Sequence, residues 1–243
     1  KDVAEKAGGE ASLANIVPYI TSKFDNFLGN DIMRPIIAQE KSSFDFRKIM
    51  DDKKILLINL SKGRLGDINS HLLGLIIVGK LLMAALSRAD MPESERNDFY
   101  LYIDEFQNVT TDSIATILSE ARKYKLNLTI AHQFIGQLEE NIKKAVFGNV
   151  GSMGAFRVGA EDGEFLAKQF EPVFDAGDLL NIDNYRAYLK LLVEGQSARP
   201  FNIATLPFQK GDINFGKEAA LLSLARYGRL RTQVDEEINK KFN

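Results

Sequence analysis

Three side chains in this sequence are the best placed to do chemistry: two adjacent acids, Asp104 and Glu105, and an amide, Gln133. The acids close the apolar run "FYLYID" and open "EFQNV". A carboxylate at the end of such a run can hold magnesium, usually through water, and a glutamate directly after it can orient and polarise an attacking water. Two neighbouring acids at the end of a buried strand are costly unless a cation or a proton compensates. The plainer alternative is that Asp104 caps the turn that follows. Gln133 ends the next apolar run, "LNLTIA". An uncharged amide there can touch a terminal phosphate, or the water that attacks it, and so report hydrolysis; otherwise it is a loop glutamine bonded to backbone. His132 stands beside it and tempts as a general base, but a single imidazole with no partner spaced for it reads as structural, and so does His71.

These residues need elements to position them. "KILLINLS" (54–61) reads as a strand buried on both faces, with "KGRLGD" as its exit loop. A helix over about 68–88 follows, then strands over 99–104, 126–131 and 154–158. Helices over 111–123, 135–146 and 162–170 separate or follow them. Strands alternating with helices predict an α/β fold with a doubly wound, mostly parallel sheet and sites at the carboxyl ends of the strands. "YRAYLKLLVEG" and "RPFNIATLP" read as a terminal pair of strands, and 215–227 and 232–242 as closing helices. Before all this, Leu13, Ile16, Val17, Ile20, Phe24 and Phe27 recur at helical spacing, and "SSFDFRKIM" opens a short helix with Ser42 or Ser43 as its cap. The expected organisation is a helical lead-in over 1–50, a core over 51–210 and a helical extension over 211–243.

One stretch imitates a phosphate loop. "GLIIVGKLLM" has two glycines separated by four residues and then Lys80, but Leu81 stands where Ser or Thr would bind magnesium. A phosphate loop also needs free backbone N–H groups, whereas "LIIV" sits in a helix whose apolar pattern faces a core. The stretch reads as a buried helix with a surface lysine.

Composition narrows the rest. With 45% hydrophobic and 26% charged residues, the chain supports a sizeable core and is not disordered. Its 31 basic and 33 acidic residues give a net charge of −2, so any contact with DNA is local rather than spread over the surface. The absence of cysteine excludes disulfides, thiolate nucleophiles and zinc-thiolate sites, and fits a reducing cytoplasm. The run Leu72 to Leu86 is interrupted by Lys80 and falls short of the ~20 residues that span a bilayer, so no membrane segment is expected here. The chain opens at Lys1 rather than Met, which suggests a fragment.

The order of blocks "ILLINLSKGRLG", "LLMAALSRA", "FYLYIDEFQNV", "SEARKYKLNLTIAHQF" and "GNVGSMGAFRVGAEDGEFLAKQF" resembles the C-terminal half of the motor domain in type IV coupling proteins of bacterial conjugation and secretion. These are relatives of the FtsK and HerA group of hexameric DNA pumps. The resemblance covers roughly residues 12–207 and implies a RecA-like ATPase core. It matches Asp104 and Glu105 to the Walker B acids, with Asp104 as the magnesium ligand, Gln133 to the sensor glutamine, and Arg122 to the arginine inserted into a neighbour's nucleotide site. Arg64 and Arg157 compete for that last role. ATP and Mg2+ are the implied cofactors, while DNA, a homo-oligomer (a hexamer) and type IV secretion or relaxosome proteins are the implied partners. The implied location is the cytoplasm, at the inner face of the membrane if an anchor lies elsewhere.

One departure is large: no GxxxxGK[ST] occurs in the 243 residues. In the family that loop lies well upstream of the Walker B strand, so this chain is expected to be inactive as an ATPase by itself. Two other readings stay open: a different hexameric DNA pump, for repair or segregation, or a non-hydrolysing interaction module on the same fold. The basic clusters 62–64, 122–125, 143–144 and 226–231 could meet phosphates, yet acids neighbour most of them, as on solvated faces.

Overall fold

The computed structural model describes Pro18, residues 28–110, Ile114, Leu118 and residues 120–242. The helical spacing from Leu13 to Phe27 falls almost wholly outside these residues, as does most of the helix expected over 111–123. The chain divides into two compact units: one takes in residues 28–45, 57–73 and 212–242, the other residues 46–56 and 74–211.

In the first unit Asn30 caps the short helix Met33–Ile37, its Oδ1 accepting the Ile32 and Met33 N–H groups at 3.0 Å each. Buried Met33 lies on that helix, and buried Val234 and Ile238 lie on Arg231–Phe242. The Arg34 guanidinium reaches Asn239 Oδ1 at 3.1 Å and so ties the two helices together. Asp212 caps the helix Ile213–Tyr227 by accepting the Asn214 N–H.

The second unit carries the chemistry. Strand β1, Phe99–Ile103, pairs in parallel with β2, Leu126–Ile130, in the register Phe99 to Leu126 through Ile103 to Ile130. The expected strand pair and its direction are therefore present. β1 is buried on one side only: Phe99, Leu101 and Ile103 pack inward, while Tyr100 and Tyr102 are 61% and 72% exposed. Against the inner side lies the C-terminal part of the long helix Asp67–Ser87, whose Val78, Leu81, Ala84 and Ala85 share one core with Phe106, Leu126 and Ile142. Together with the 3-10 turn Arg88–Asp90, this helix is long and apolar enough to cross a membrane by length and composition, longer than the sequence run suggested. That core takes up only part of its apolar surface: 28% of the apolar stretch is buried, and Ile68 and Met83 are exposed. The helix also settles the phosphate-loop look-alike, since Gly74 to Lys80 lie inside it with Lys80 exposed.

Other expectations need correction. Residues 54–61 form no strand: no described strand pairs with them, and Ile55 and Leu57 are 89% and 86% exposed. An extended segment becomes a strand only when a neighbour takes its N–H and C=O groups, which apolar sequence alone does not supply. The strand expected at 154–158 is shorter, β3 (Met153–Ala155), and it does not join the parallel pair. It pairs antiparallel with β4 (Arg186–Lys190), which pairs antiparallel with β7 (Phe201–Ala204); β5 (Leu192–Val193) and β6 (Gln196–Ser197) form a small hairpin. The described strands thus make an α/β structure with one parallel pair and separate antiparallel sheets. The helix expected over 135–146 breaks into a 3-10 turn, Ile135–Gln137, and a helix, Glu140–Asn149. The helix Phe46–Asp51 starts after Ser42 and Ser43, so neither caps it.

A second core, built by Ile135, Leu166, Phe170 and Leu179, joins the helix Ala160–Phe170 to the turn Ile135–Gln137. The Ile135 N–H donates to Asp162 Oδ2 at 3.1 Å, which fixes where the chain leaves β2.

Candidate nucleotide-site acids and their amides

The parallel pairing of β1 and β2 brings Asp104 and Gln133 to the same edge, because both follow the carboxyl ends of paired strands. Hydrogen bonds continue past the strands: Ala131 N–H donates to the Ile103 carbonyl and Phe106 N–H to the Ala131 carbonyl, both at 2.9 Å. The chain then turns sharply at Glu105, whose φ of 49° and ψ of 47° lie in the left-handed region. A glutamate there costs on the order of 1 kcal/mol, a strain characteristic of functional sites. Phe106 and Val109, buried in the core, fix the turn that follows.

Asp104 is exposed, and its Oδ1 accepts the Glu105 N–H at 2.9 Å. Glu105 is half-buried. Its Oε1 accepts Gln133 Nε2 at 2.6 Å and its Oε2 accepts Gln107 Nε2 at 2.6 Å. The structure therefore brings together Glu105 and Gln133 and adds a residue that sequence reasoning passed over, Gln107. No spacing in the sequence marks it, since its reach depends on the left-handed Glu105 and the tight turn that follows. The acid pair is less buried than the apolar run implied, because Tyr100 and Tyr102 face outward and Asp104 is in the open.

Arg122 does not join this group. It is exposed on the 3-10 turn Ala121–Tyr124, just before β2 begins at Leu126. Parallel strands put that turn at the opposite edge, five residues and roughly 16 Å from the Asp104 end. Backbone carbonyls of the turn are gripped from below: Arg88 Nη1 donates to Tyr124 O at 3.1 Å and Arg96 Nη1 to Lys123 O at 2.5 Å. Arg64 is exposed on the short helix Lys62–Leu65, and Arg157 donates to Asn184 Oδ1 at 3.2 Å. Several basic residues are paired with acids, as expected of solvated faces: Lys144 with Glu140, Arg231 with Asp235, and Arg229 with Glu237.

His132 is half-buried and its Nδ1 is enclosed without a hydrogen-bond partner. Burial pushes the imidazole below its usual value, with the charge of Asp162 pulling the other way. His71 is exposed on the long helix. Among the described residues no group of three or more His, Cys, Asp or Glu could hold a metal by itself. Asp104 suits magnesium in a different way, since this ion is commonly held by one or two carboxylates plus substrate phosphates.

The profile of the family described as Type IV secretory system Conjugative DNA transfer matches residues 6–151, which include Asp104, Glu105, Gln107, Arg122 and Gln133. No curated protein matches. Among solved structures, the chain is similar to the bacterial conjugative coupling protein TrwBdeltaN70 in its unbound monoclinic form, with 17% identity, a TM-score of 0.47, and coverage of 55% of this chain and 36% of that one. It is also similar to the plasmid coupling protein TrwB in complex with ADP and Mg2+, with 16% identity, a TM-score of 0.47, and coverage of 56% and 37%. The chain thus spans about a third of the length of the solved structures it matches. With more than half of its length matched by that one profile, the chain belongs to the type IV secretory system conjugative DNA transfer family.

Proposed function

We propose that this chain is the C-terminal part of an ATP-driven, DNA-translocating motor of the type IV coupling-protein kind, with a RecA-like core whose Walker B acids are Asp104 and Glu105. The single observation that carries this reading is the Gln133 to Glu105 hydrogen bond across the tips of two parallel strands. It joins a carboxylate that can take a proton to an amide that can sense phosphate, beside an exposed aspartate.

Asp104 would hold Mg2+, which, when bound, spreads and neutralises phosphate charge. Glu105 orients the attacking water and accepts its proton as the water oxygen bonds to the γ-phosphorus. The bond from that phosphorus to its bridging oxygen breaks, and the electron pair leaves with ADP. Gln133 adds a neutral donor for phosphate oxygen and carries no charge to be compensated. Arg122, at the far edge, serves a neighbouring subunit in a head-to-tail ring, working on DNA at the cytoplasmic face of the membrane. The phosphate loop comes from sequence outside these 243 residues. Without it this chain binds MgATP poorly, because that loop's backbone and lysine make most phosphate contacts.

The test is Glu105→Gln in the protein that joins this chain to its phosphate loop. Turnover should fall by about 100-fold or more while nucleotide binding persists. Unchanged turnover would remove the catalytic role of Glu105, whereas no turnover in the wild-type protein that carries the loop would favour the second reading, a non-hydrolysing docking module on the same fold.

A further inference from the structure

We infer that Gln107 is a positioning residue for Glu105, one half of a two-amide clasp from which only Gln133 is built to withdraw. The inference rests on the reading of Glu105 as the residue that orients water. Each carboxylate oxygen of Glu105 takes one amide N–H at 2.6 Å, short for an N–H donor, as bonds to an ionised acceptor are. The two amides differ in how they are held.

Gln107 belongs to the turn Phe106–Val109, and that turn is fixed at several points. Phe106 and Val109 are buried in the core, the Phe106 N–H is bound to Ala131, the Asn108 N–H donates to the Glu105 carbonyl at 2.9 Å, and Thr110 Oγ1 donates to the Gln107 carbonyl at 3.3 Å. Its side-chain oxygen is buried with no hydrogen-bond partner. Nothing but the Glu105 carboxylate therefore fixes which way this amide points. The reverse orientation would set a carbonyl oxygen against a carboxylate. A fold that leaves a buried carbonyl unpaired in order to aim one N–H at one acid is spending stability on placement.

Gln133 has no such footing. It is exposed, beyond the end of β2, and its amide can turn from Glu105 to solvent at little cost. A phosphate arriving at this edge competes for the Gln133 N–H but not for the Gln107 N–H, which is set into the turn. When Gln133 leaves, Oε1 of Glu105 is freed for water, while Gln107 keeps Oε2 and hence the plane of the carboxylate. The strained left-handed backbone at Glu105 makes this second hold necessary, because the side chain starts from a conformation few neighbours support.

The experiment uses the protein that joins this chain to its phosphate loop and follows ATP hydrolysis together with thermal melting. The variants are Gln107→Leu, Gln107→Met and, as reference, Glu105→Gln. Leucine and methionine fill the same space without the donor and without the orphaned carbonyl. The expected result for both is a kcat lower by about 10-fold, a KM for ATP within about twofold of wild type, and a Tm equal to or above it. If kcat stays at the wild-type value while Glu105→Gln abolishes turnover, the clasp is wrong and the motor reading survives. A fall of kcat, KM and Tm together would make Gln107 a structural residue and overturn the inference. If Glu105→Gln turns over like wild type, the inference falls with the reading on which it rests.

Discussion

His132 shows at the scale of one residue how burial alone sets a pH dependence. Its folded-state affinity for protons is depressed, chiefly by desolvation, against an ordinary value of 6.5. A base depressed on folding leaves stability complete above the ordinary value, where neither state is protonated. As pH falls below 6.5 the unfolded chain takes up the proton first, and stability drops until the lower folded value is passed. Melting the chain between pH 7.5 and 5.5 should therefore show a loss of Tm that His132→Gln reduces. An equal loss in both would mean that the imidazole is not the group responsible. The same neighbourhood measures what sequence could say about the site. That Asp104 and Gln133 would lie at one edge was legible because each follows an apolar run, and a parallel pair brings run ends together. Gln107 was not, because its role depends on a left-handed residue at 105 and a tight turn, and neither leaves a periodic signal in side-chain polarity. His132 reads as structural only for want of a partner spaced for it, and its orphaned Nδ1 and the nearby Asp162 depend on packing that no spacing reveals.

Elements hold the site through one fully buried cation. Arg88 has no exposure, and its Nε donates to Asp51 Oδ1 at 2.9 Å. Its Nη1 donates to the carbonyls of Asn97 and Tyr124, at 2.9 and 3.1 Å, so one side chain pins the approach to β1 and the approach to β2 at once. Nη2 stands 2.9 Å from the same Asp51 oxygen as an ion-pair contact but lacks hydrogen-bond alignment. Arg47 adds a second link, bonding Asp51 at 3.2 Å and both oxygens of Asp90. Arg88→Ala takes this donor from the Asn97 and Tyr124 carbonyls and should cost about 3 kcal/mol, the low end for breaking a buried pair, since Asp51 still reaches solvent. Arg88→Lys should recover little of it, because an ammonium cannot span acceptors on three segments. Urea denaturation with an unchanged slope would report the loss; a stability change of less than about 1 kcal/mol would show that the guanidinium is not the pin. Sequence reasoning placed Arg88 only as the last residue of a helix, since its partners sit 37, 9 and 36 positions away. Long-range pairing also defeated the strand reading at 54–61 and the parallel reading of β3. Apolar runs declare that a segment is fit to be a strand, and only the neighbours decide whether and in which direction it pairs.

At the scale of the whole molecule the separation of Arg122 from the acids is the informative feature. Both sets of residues are anchored to the same parallel pair, yet at opposite edges, roughly 16 Å apart along five residues of strand. An arginine side chain does not bridge that distance, so within one chain Arg122 cannot serve the Asp104 site. In a head-to-tail ring the far edge of one subunit faces the site edge of the next, a heterologous contact that closes by rotation. On the proposed motor reading Arg122 would complete its neighbour's site, and Arg88 and Arg96 hold the carbonyls of the turn that carries it. Mixing two inactive variants of the protein that carries the phosphate loop tests this directly. Glu105→Gln subunits have a dead site but an intact Arg122, and Arg122→Ala subunits have the reverse. Each alone should turn over ATP about 100-fold more slowly than wild type, while rings assembled from equal amounts should regain activity at about a quarter of their sites, those where an intact Glu105 meets an intact Arg122. No recovery in mixed rings of confirmed composition would mean that Arg122 acts within its own chain or not at all. If Arg122→Ala alone keeps wild-type turnover, Arg64 and Arg157 become the residues to exchange, and the same mixing scheme applied to each decides between them.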